Sequence, residues 1–170
     1  MRPLPEHLRG ILLPHTTVFT DGDEIDTPKL RENIAKWNKT GVRGYVMLGS
    51  TGERVHLDER EYLQVIETAR EAVPPEFAFI VGAGQQSTTG TINEIRKATQ
   101  VGADAVLVIT PHYYRSAINQ DTLVDYYTAV ADASPVPLLL YSMPALTGVK
   151  MESETIARLS EHPNITGVKD

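Results

Sequence analysis

No cysteine occurs among the 170 residues, which excludes disulfides and thiolate sites. No apolar run approaches the ~20 residues needed to cross a bilayer. The opening stretch, Met1 to Arg9, lacks the apolar segment of a secretory signal. No membrane partner is therefore expected. Basic clusters are missing as well, and the net charge is −6. That balance argues against a nucleic-acid partner, because phosphate backbones attract Lys- and Arg-rich faces. The five histidines (His7, His15, His56, His112, His162) are scattered without an H-x-x-x-H pair, so no zinc site is expected.

What is present is an ordinary globular composition, 41% hydrophobic and 22% charged, with length for one domain and a real core. Strand-like and helix-like segments alternate from end to end. Gly10–Thr20, Gly44–Ser50, Phe77–Gly82, Ala103–Thr110, Val136–Ser142 and Ile165–Lys169 read as six strands. A helix opens at Asp26-Thr-Pro-Lys, with a capping residue and an early proline, presents Leu30, Ile34 and Trp37 on one face, and stops at Gly41. A second opens at Asp58-Glu-Arg-Glu, a capping-box pattern followed by Leu63, Ile66 and Ala69. Ile92, Ile95 and Thr99 mark a third, with Gly102 after it. Gln120–Ala133 and Ser153–Glu161 complete the set. The strands are continuous apolar runs, as expected of parallel strands covered on both faces. Repeated βα units of this kind build a doubly wound sheet or a (β/α)8 barrel.

Four segments, each where a strand hands over to a loop, could carry chemistry. Gly49-Ser50-Thr51-Gly52-Glu53 follows the second strand; its backbone N–H groups can hold a carboxylate or phosphate, or it is a plain βα turn. It is not a Walker A loop, since the lysine is missing. Thr110-Pro111-His112-Tyr113-Tyr114 offers phenols that could relay protons, or aromatic packing over a barrel mouth. Tyr141-Ser142-Met143-Pro144-Ala145-Leu146-Thr147-Gly148 begins with a tyrosine at a strand end, which could equally be a core residue with a satisfied hydroxyl. Gly167-Val168-Lys169-Asp170 ends an apolar strand in a lysine. Such an amine is either a solvated strand end or a desolvated nucleophile. In a barrel the four positions converge on one mouth, the catalytic face.

Taken together, these motifs resemble the dihydrodipicolinate synthase / N-acetylneuraminate lyase family of class I pyruvate aldolases along essentially the whole chain. The Thr-Pro-x-Tyr-Tyr-Arg stretch, the Tyr141 loop and His162–Asp170 look most like the 4-hydroxy-2-oxoglutarate aldolase branch. The resemblance implies an α/β (β/α)8 TIM barrel, represented over residues 1–170 by about six βα strands of a single partial domain. A full barrel takes ~250 residues, so the last strands and helices are expected to be absent. It further implies that Lys169 forms an imine with pyruvate and that Tyr141 shuttles protons with Ser50 in the relay. Thr51, with Gly49 and Gly52 around it, would grip the pyruvate carboxylate. Tyr113 would reach into a neighbouring subunit of a homo-oligomer, a dimer or tetramer. No cofactor beyond the covalent lysine imine is implied.

The expected reaction is reversible cleavage of a 2-oxo acid to pyruvate and an aldehyde, in the cytoplasm, or in mitochondria if a leader is removed. Dihydrodipicolinate synthases carry a semialdehyde-binding arginine on the Tyr141 loop; Leu146 stands at that place here and argues against that substrate. The alternatives are an N-acetylneuraminate lyase or sugar-acid aldolase, a 4-hydroxy-tetrahydrodipicolinate synthase, and a catalytically inactive fragment that at most binds partner subunits.

Overall fold

The computed structural model describes residues 5–170; the first four residues of the stretch read for a leader lie outside it. Six strands, β1 (Leu12–Pro14), β2 (Gly44–Met47), β3 (Ala78–Ala83), β4 (Ala105–Ile109), β5 (Leu138–Tyr141) and β6 (Ile165–Lys169), alternate with helices. These are α1 (Thr27–Trp37), α2 (Glu59–Ala72), α3 (Thr88–Val101), α4 (Gln120–Ala133), the single turn α5 (Pro144–Thr147) and α6 (Ser153–Leu159). All neighbouring strands pair parallel, in the order β1-β2-β3-β4-β5-β6. A doubly wound sheet reverses its strand order at a switch point. Strictly sequential order does not, so the fold is the half-barrel form of α/β architecture. Among the described residues the sheet stays open, with β1 and β6 each paired on one side only.

Strand alternation divides the core into two layers. Val106 and Val108 of β4 face the helices, within the larger cluster that includes Leu30, Ile34, Ile66, Ile95 and Leu123. Ala105 and Leu107 face the barrel interior with Val46, Ala78, Ile80 and Tyr141. The helices start where their caps dictate. Asp26 accepts from the Lys29 N–H at 2.9 Å. Asp58 and Glu61 complete a reciprocal capping box at 2.8 and 2.9 Å.

Several boundaries differ from expectation. The first strand is far shorter than Gly10–Thr20. The chain leaves the ladder after His15, whose N–H reaches the Val46 carbonyl at 3.1 Å. It then folds back through a turn at Asp23 (φ 62°) to bridge Phe19 and Ile25 antiparallel. β2 ends at Met47 rather than Ser50 because Leu48 adopts a left-handed φ of 55°. Trp37 does not complete the buried face of α1: it is 44% exposed while Leu30 and Ile34 are fully buried. It lies in the last residue of the helix, and Asn38, not Gly41, is the C-cap.

Gly82 of β3 is fixed by a close approach. A Cβ there would stand 2.0 Å from the Leu48 carbonyl oxygen. At Gly41 a Cβ would meet nothing within 4 Å. Gly82→Ala should therefore cost at least the ~1–3 kcal/mol of core overpacking, since a backbone oxygen cannot swing aside. Gly41→Ala should stay within about 0.5 kcal/mol of the parent. Urea unfolding of both variants checks the pair; equal stabilities would contradict the contact.

His15 is buried, with its Nε2 lacking a hydrogen-bond partner among the described residues. Burial lowers its pKa. The sign follows: below the unfolded value of about 6.5 the unfolded chain takes up a proton that the folded chain resists, so stability falls as pH drops. Unfolding free energies measured between about pH 7.5 and pH 5 should fall less steeply in His15→Phe than in the parent. Identical slopes would contradict the assignment.

Candidate active site

The C-terminal ends of β2, β5 and β6 meet at one rim of the sheet. After β2 the left-handed Leu48 turns the chain into Gly49, and Ser50–Gly52 forms one 3-10 turn. The Glu53 N–H closes that turn on the Ser50 carbonyl at 3.1 Å. Thr17 donates its hydroxyl to the Gly52 carbonyl at 2.6 Å and anchors the turn from beneath. The Ser50 Oγ then lies 3.0 Å from the Tyr141 hydroxyl, across 91 residues of sequence. Parallel register sets Tyr141 beside Lys169, and the Lys169 Nζ sits 4.0 Å from the centroid of the Tyr141 ring. Tyr141 is buried; Lys169, at the end of the edge strand, is exposed.

Ser50, Tyr141 and Lys169 are thus brought together. Gly49, Ser50 and Tyr141 line one cleft, and Lys169 stands beside it, outside its lining; Gly52 is buried below the turn and Thr51 is exposed on it. The cleft measures about 1310 Å³, roomy beside the ~300–1,000 Å³ of ordinary ligand pockets. Tyr113 is not drawn into it. Tyr113 is 73% exposed and meets Tyr114 edge-on at 5.0 Å, and it is Tyr114 that lines the cleft. The loop carrying both is held by Gln86, whose Oε1 accepts from the His112 and Tyr113 N–H groups at 2.9 and 2.8 Å. Leu146 lies at the rim, 62% exposed. The Tyr141 loop coils into α5, a turn that reads from sequence only as loop.

Three further residues of the cleft, Glu94, Arg54 and Tyr62, went unread in the sequence. Glu94, buried on α3, pairs with Arg54 from the segment after Gly49–Glu53. The signal was present: Thr91, Glu94, Ile95 and Ala98 are the buried stripe of α3, so a charge occupies a core-facing helical position. Tyr62 lies beneath the Arg54 guanidinium, 4.7 Å from it; burial pushes its phenol pKa well up. Among the described residues no cluster of three His, Asp or Glu side chains could hold a metal, and no helix is long and apolar enough to cross a membrane.

Comparison with known proteins supplies the context. The sequence profile of the dihydrodipicolinate synthetase family matches residues 7–170. An Emericella nidulans protein named "Probable 4-hydroxy-2-oxoglutarate aldolase, mitochondrial" is 40% identical over 99% of this chain and 55% of its own. An L-threo-3-deoxy-hexylosonate aldolase of Aspergillus niger is 41% identical over 94% of this chain and 50% of its own. A 4-hydroxy-tetrahydrodipicolinate synthase of Geobacter metallireducens is 40% identical over 95% of this chain and 55% of its own. The chain therefore spans about half the length of the curated relatives it matches. Among solved structures, the dihydrodipicolinate synthase of Acinetobacter baumannii complexed with pyruvate superposes with a TM-score of 0.90. It is 34% identical, and the match covers 96% of this chain and 55% of that one. CdNal from Clostridium difficile, in complex with mannosamine, gives 0.88 at 29% identity, over 96% and 56%.

The exposure of Tyr113 carries a prediction. Tyr113→Ala removes no packed core and should change unfolding free energy by less than about 0.5 kcal/mol. Chemical denaturation checks this; a larger loss would mean that the Thr110–Tyr114 loop depends on the ring for its conformation.

Proposed function

The chain belongs to the dihydrodipicolinate synthetase family, and we propose that the protein carrying it is a carbon–carbon lyase. In this reading it cleaves a 4-hydroxy-2-oxo acid reversibly to pyruvate and an aldehyde through an imine on Lys169. One observation carries the reading: the Lys169 amine, the Tyr141 phenol and the Ser50 hydroxyl converge on one rim. The names of the relatives support the reaction class, and pyruvate in solved relatives supports the keto-acid half of the substrate.

The chemistry needs little else. The Lys169 amine adds to the keto carbon, and the resulting carbinolamine loses water as Tyr141 supplies a proton, with Ser50 passing it to and from the cleft. The cationic imine then accepts the electron pair of the C3–C4 bond. The Tyr141 phenolate, having given up its proton at carbinolamine breakdown, takes one from the C4 hydroxyl as the aldehyde leaves; the enamine then takes a proton at C3, and hydrolysis releases pyruvate. Phenol-assisted proton transfer of this kind contributes ~10²–10⁴-fold. In this reading Thr51 and the backbone N–H groups of Ser50 and Thr51 hold the pyruvate carboxylate; the Gly52 N–H is spent on the Gly49 carbonyl at 3.0 Å and shapes the turn instead. The reaction requires no metal and no organic cofactor.

Leu146 favours an aldol substrate over the semialdehyde of the 4-hydroxy-tetrahydrodipicolinate synthases, because an apolar side chain at the rim offers no charge to a distal carboxylate. Tyr113, exposed beside the cleft, suits insertion into a second copy of the chain in a dimer or tetramer. The setting in this reading is the cytoplasm or the mitochondrion, and the name of one relative supports the second of these.

Borohydride reduction in the presence of pyruvate, followed by peptide mass mapping of the full-length protein, tests the assignment. One pyruvate-derived adduct per chain is expected, on Lys169, and none in Lys169→Ala. Lys169→Arg should fail equally, because a guanidinium stays protonated. An adduct on another lysine, or one that survives Lys169→Ala, would refute the proposal.

A further inference from the structure

The most completely satisfied polar group of the cleft is one the imine chemistry does not use. Glu94 projects from α3 with only 6% of its side chain exposed. Its Oε1 accepts from the Arg54 Nε at 2.8 Å, from the Arg54 Nη2, and from the Gln85 Nε2 at 3.0 Å. Its Oε2 accepts from the Gly84 N–H at 2.7 Å. Arg54 is bound on its remaining edge, donating its Nη1 to the Leu57 carbonyl at 3.2 Å. It covers the Tyr62 ring, and the Tyr62 hydroxyl donates to the Gly82 carbonyl at 3.3 Å. One carboxylate therefore ties the segment after β2, the segment after β3 and the flank of α2 into a unit.

That unit encloses the strained entry to the Ser50 turn. Gly82 is the residue against which the Leu48 carbonyl is seated. Leu48 holds its left-handed φ of 55° directly before Gly49 and Ser50, and Glu53, at φ 56°, follows the same turn before Arg54. Left-handed conformations in non-glycine residues persist only where their surroundings over-determine them. Here the surroundings are Gly82 on one side and Arg54 on the other.

We infer that the largely buried Arg54–Glu94 pair is a positioning device that holds the Gly49–Glu53 turn at the height where Ser50 meets Tyr141. The inference rests on the proposed lyase reading for its catalytic consequence. A buried ion pair is a poor source of stability, since apolar side chains of similar volume often replace one at no loss. What a guanidinium and a carboxylate add, and two apolar side chains do not, is direction: fixed donor and acceptor axes that lock one loop relative to another. Removal of Arg54 alone would also leave an uncompensated carboxylate lining the cleft that a 2-oxo acid anion must enter.

The test uses the full-length protein and a paired apolar replacement, Arg54→Met with Glu94→Leu. The expected result is a melting temperature within a few degrees of the parent or above it, with kcat reduced on the order of 10- to 100-fold, the scale of a small misplacement of reacting groups. In a Ser50→Ala background the same pair of substitutions should reduce kcat much less, because the pair acts through Ser50. Hydrogen–deuterium exchange should rise across residues 48–54 in the double variant while the β3 and β4 segments keep parent rates. Arg54→Met alone should raise KM more than the double variant does, since only the single variant leaves Glu94 unpaired. Parent-like kcat with parent-like exchange over residues 48–54 in a folded double variant would overturn the inference. So would a kcat loss of equal size in the Ser50→Ala background. Borohydride trapping separates the two ideas: loss of the Lys169 adduct in the parent condemns the lyase reading, while unchanged exchange over residues 48–54 condemns the positioning role whatever the activity. If the double variant fails to fold, Arg54→Lys takes its place. It keeps the charge but not the forked donors, and the exchange and kcat measurements apply to it unchanged.

Discussion

The carbonyl of Leu48 occupies the space that a side chain at position 82 would need. On that contact the rest of the rim depends. It permits β2 to stop at Met47 and the backbone to enter a left-handed turn at once. Without it, β2 would continue as an extended strand and carry residue 50 away from β5. The contact is available only because β2 and β3 run parallel in fixed register, Met47 opposite Val81, so that Leu48 and Gly82 come level. Strand register is enforced by the two-layer core: a slip by one residue would exchange the interior and helix-facing sets of every strand. Packing, register and turn are thus successive consequences of one pattern.

The same register logic brings the distant groups together. Ile109 pairs with Tyr141, and Tyr141 with Lys169, so the ends of β4, β5 and β6 lie along one line of the sheet. The interior layer is lean, with alanines at positions 78 and 105. The large side chain that does enter it at this rim, Tyr141, ends in a hydroxyl that finds Ser50. A buried phenol needs a partner, and the turn after β2 supplies one.

Much of this was legible beforehand, for reasons that differ by element. Helix starts at Asp26 and Asp58 could be read because a cap and its partner lie within three residues. The six strands could be read because continuous apolar runs have few other uses. The convergence of Ser50, Tyr141 and Lys169 was legible only through position at strand ends, and through resemblance. What stayed hidden was tertiary. The left-handed Leu48 depends on Gly82, 34 residues away in another strand. Trp37 satisfied helical periodicity but fell at the helix terminus, where periodicity no longer guarantees cover. Glu94 broke the apolar stripe of α3, and a charge on such a stripe announces a buried partner without identifying it. Tyr113 and Tyr114 are adjacent and chemically alike, and the fold of the loop alone decides that Tyr114 faces the cleft.

The geometry around Tyr141 also constrains how the proposed reaction can run. The Lys169 Nζ lies over the face of the ring, 4.0 Å from its centroid, not beside the hydroxyl at its edge. Contact with the ring face fixes where the Nζ of the lysine lies. The phenolic hydroxyl, meanwhile, is engaged with Ser50 at 3.0 Å. In the proposed mechanism, therefore, the phenol does not deprotonate the amine directly. Its proton reaches the carbinolamine oxygen, which departs as water, only once that substrate oxygen lies between hydroxyl and amine. That places Tyr141 at carbinolamine breakdown and at the C4 hydroxyl in the bond-cleaving step, and leaves the ring face to orient the lysine. One side chain then serves two ends of the chemistry with two different parts of itself, and the 3.0 Å contact with Ser50 couples its hydroxyl to the turn after β2.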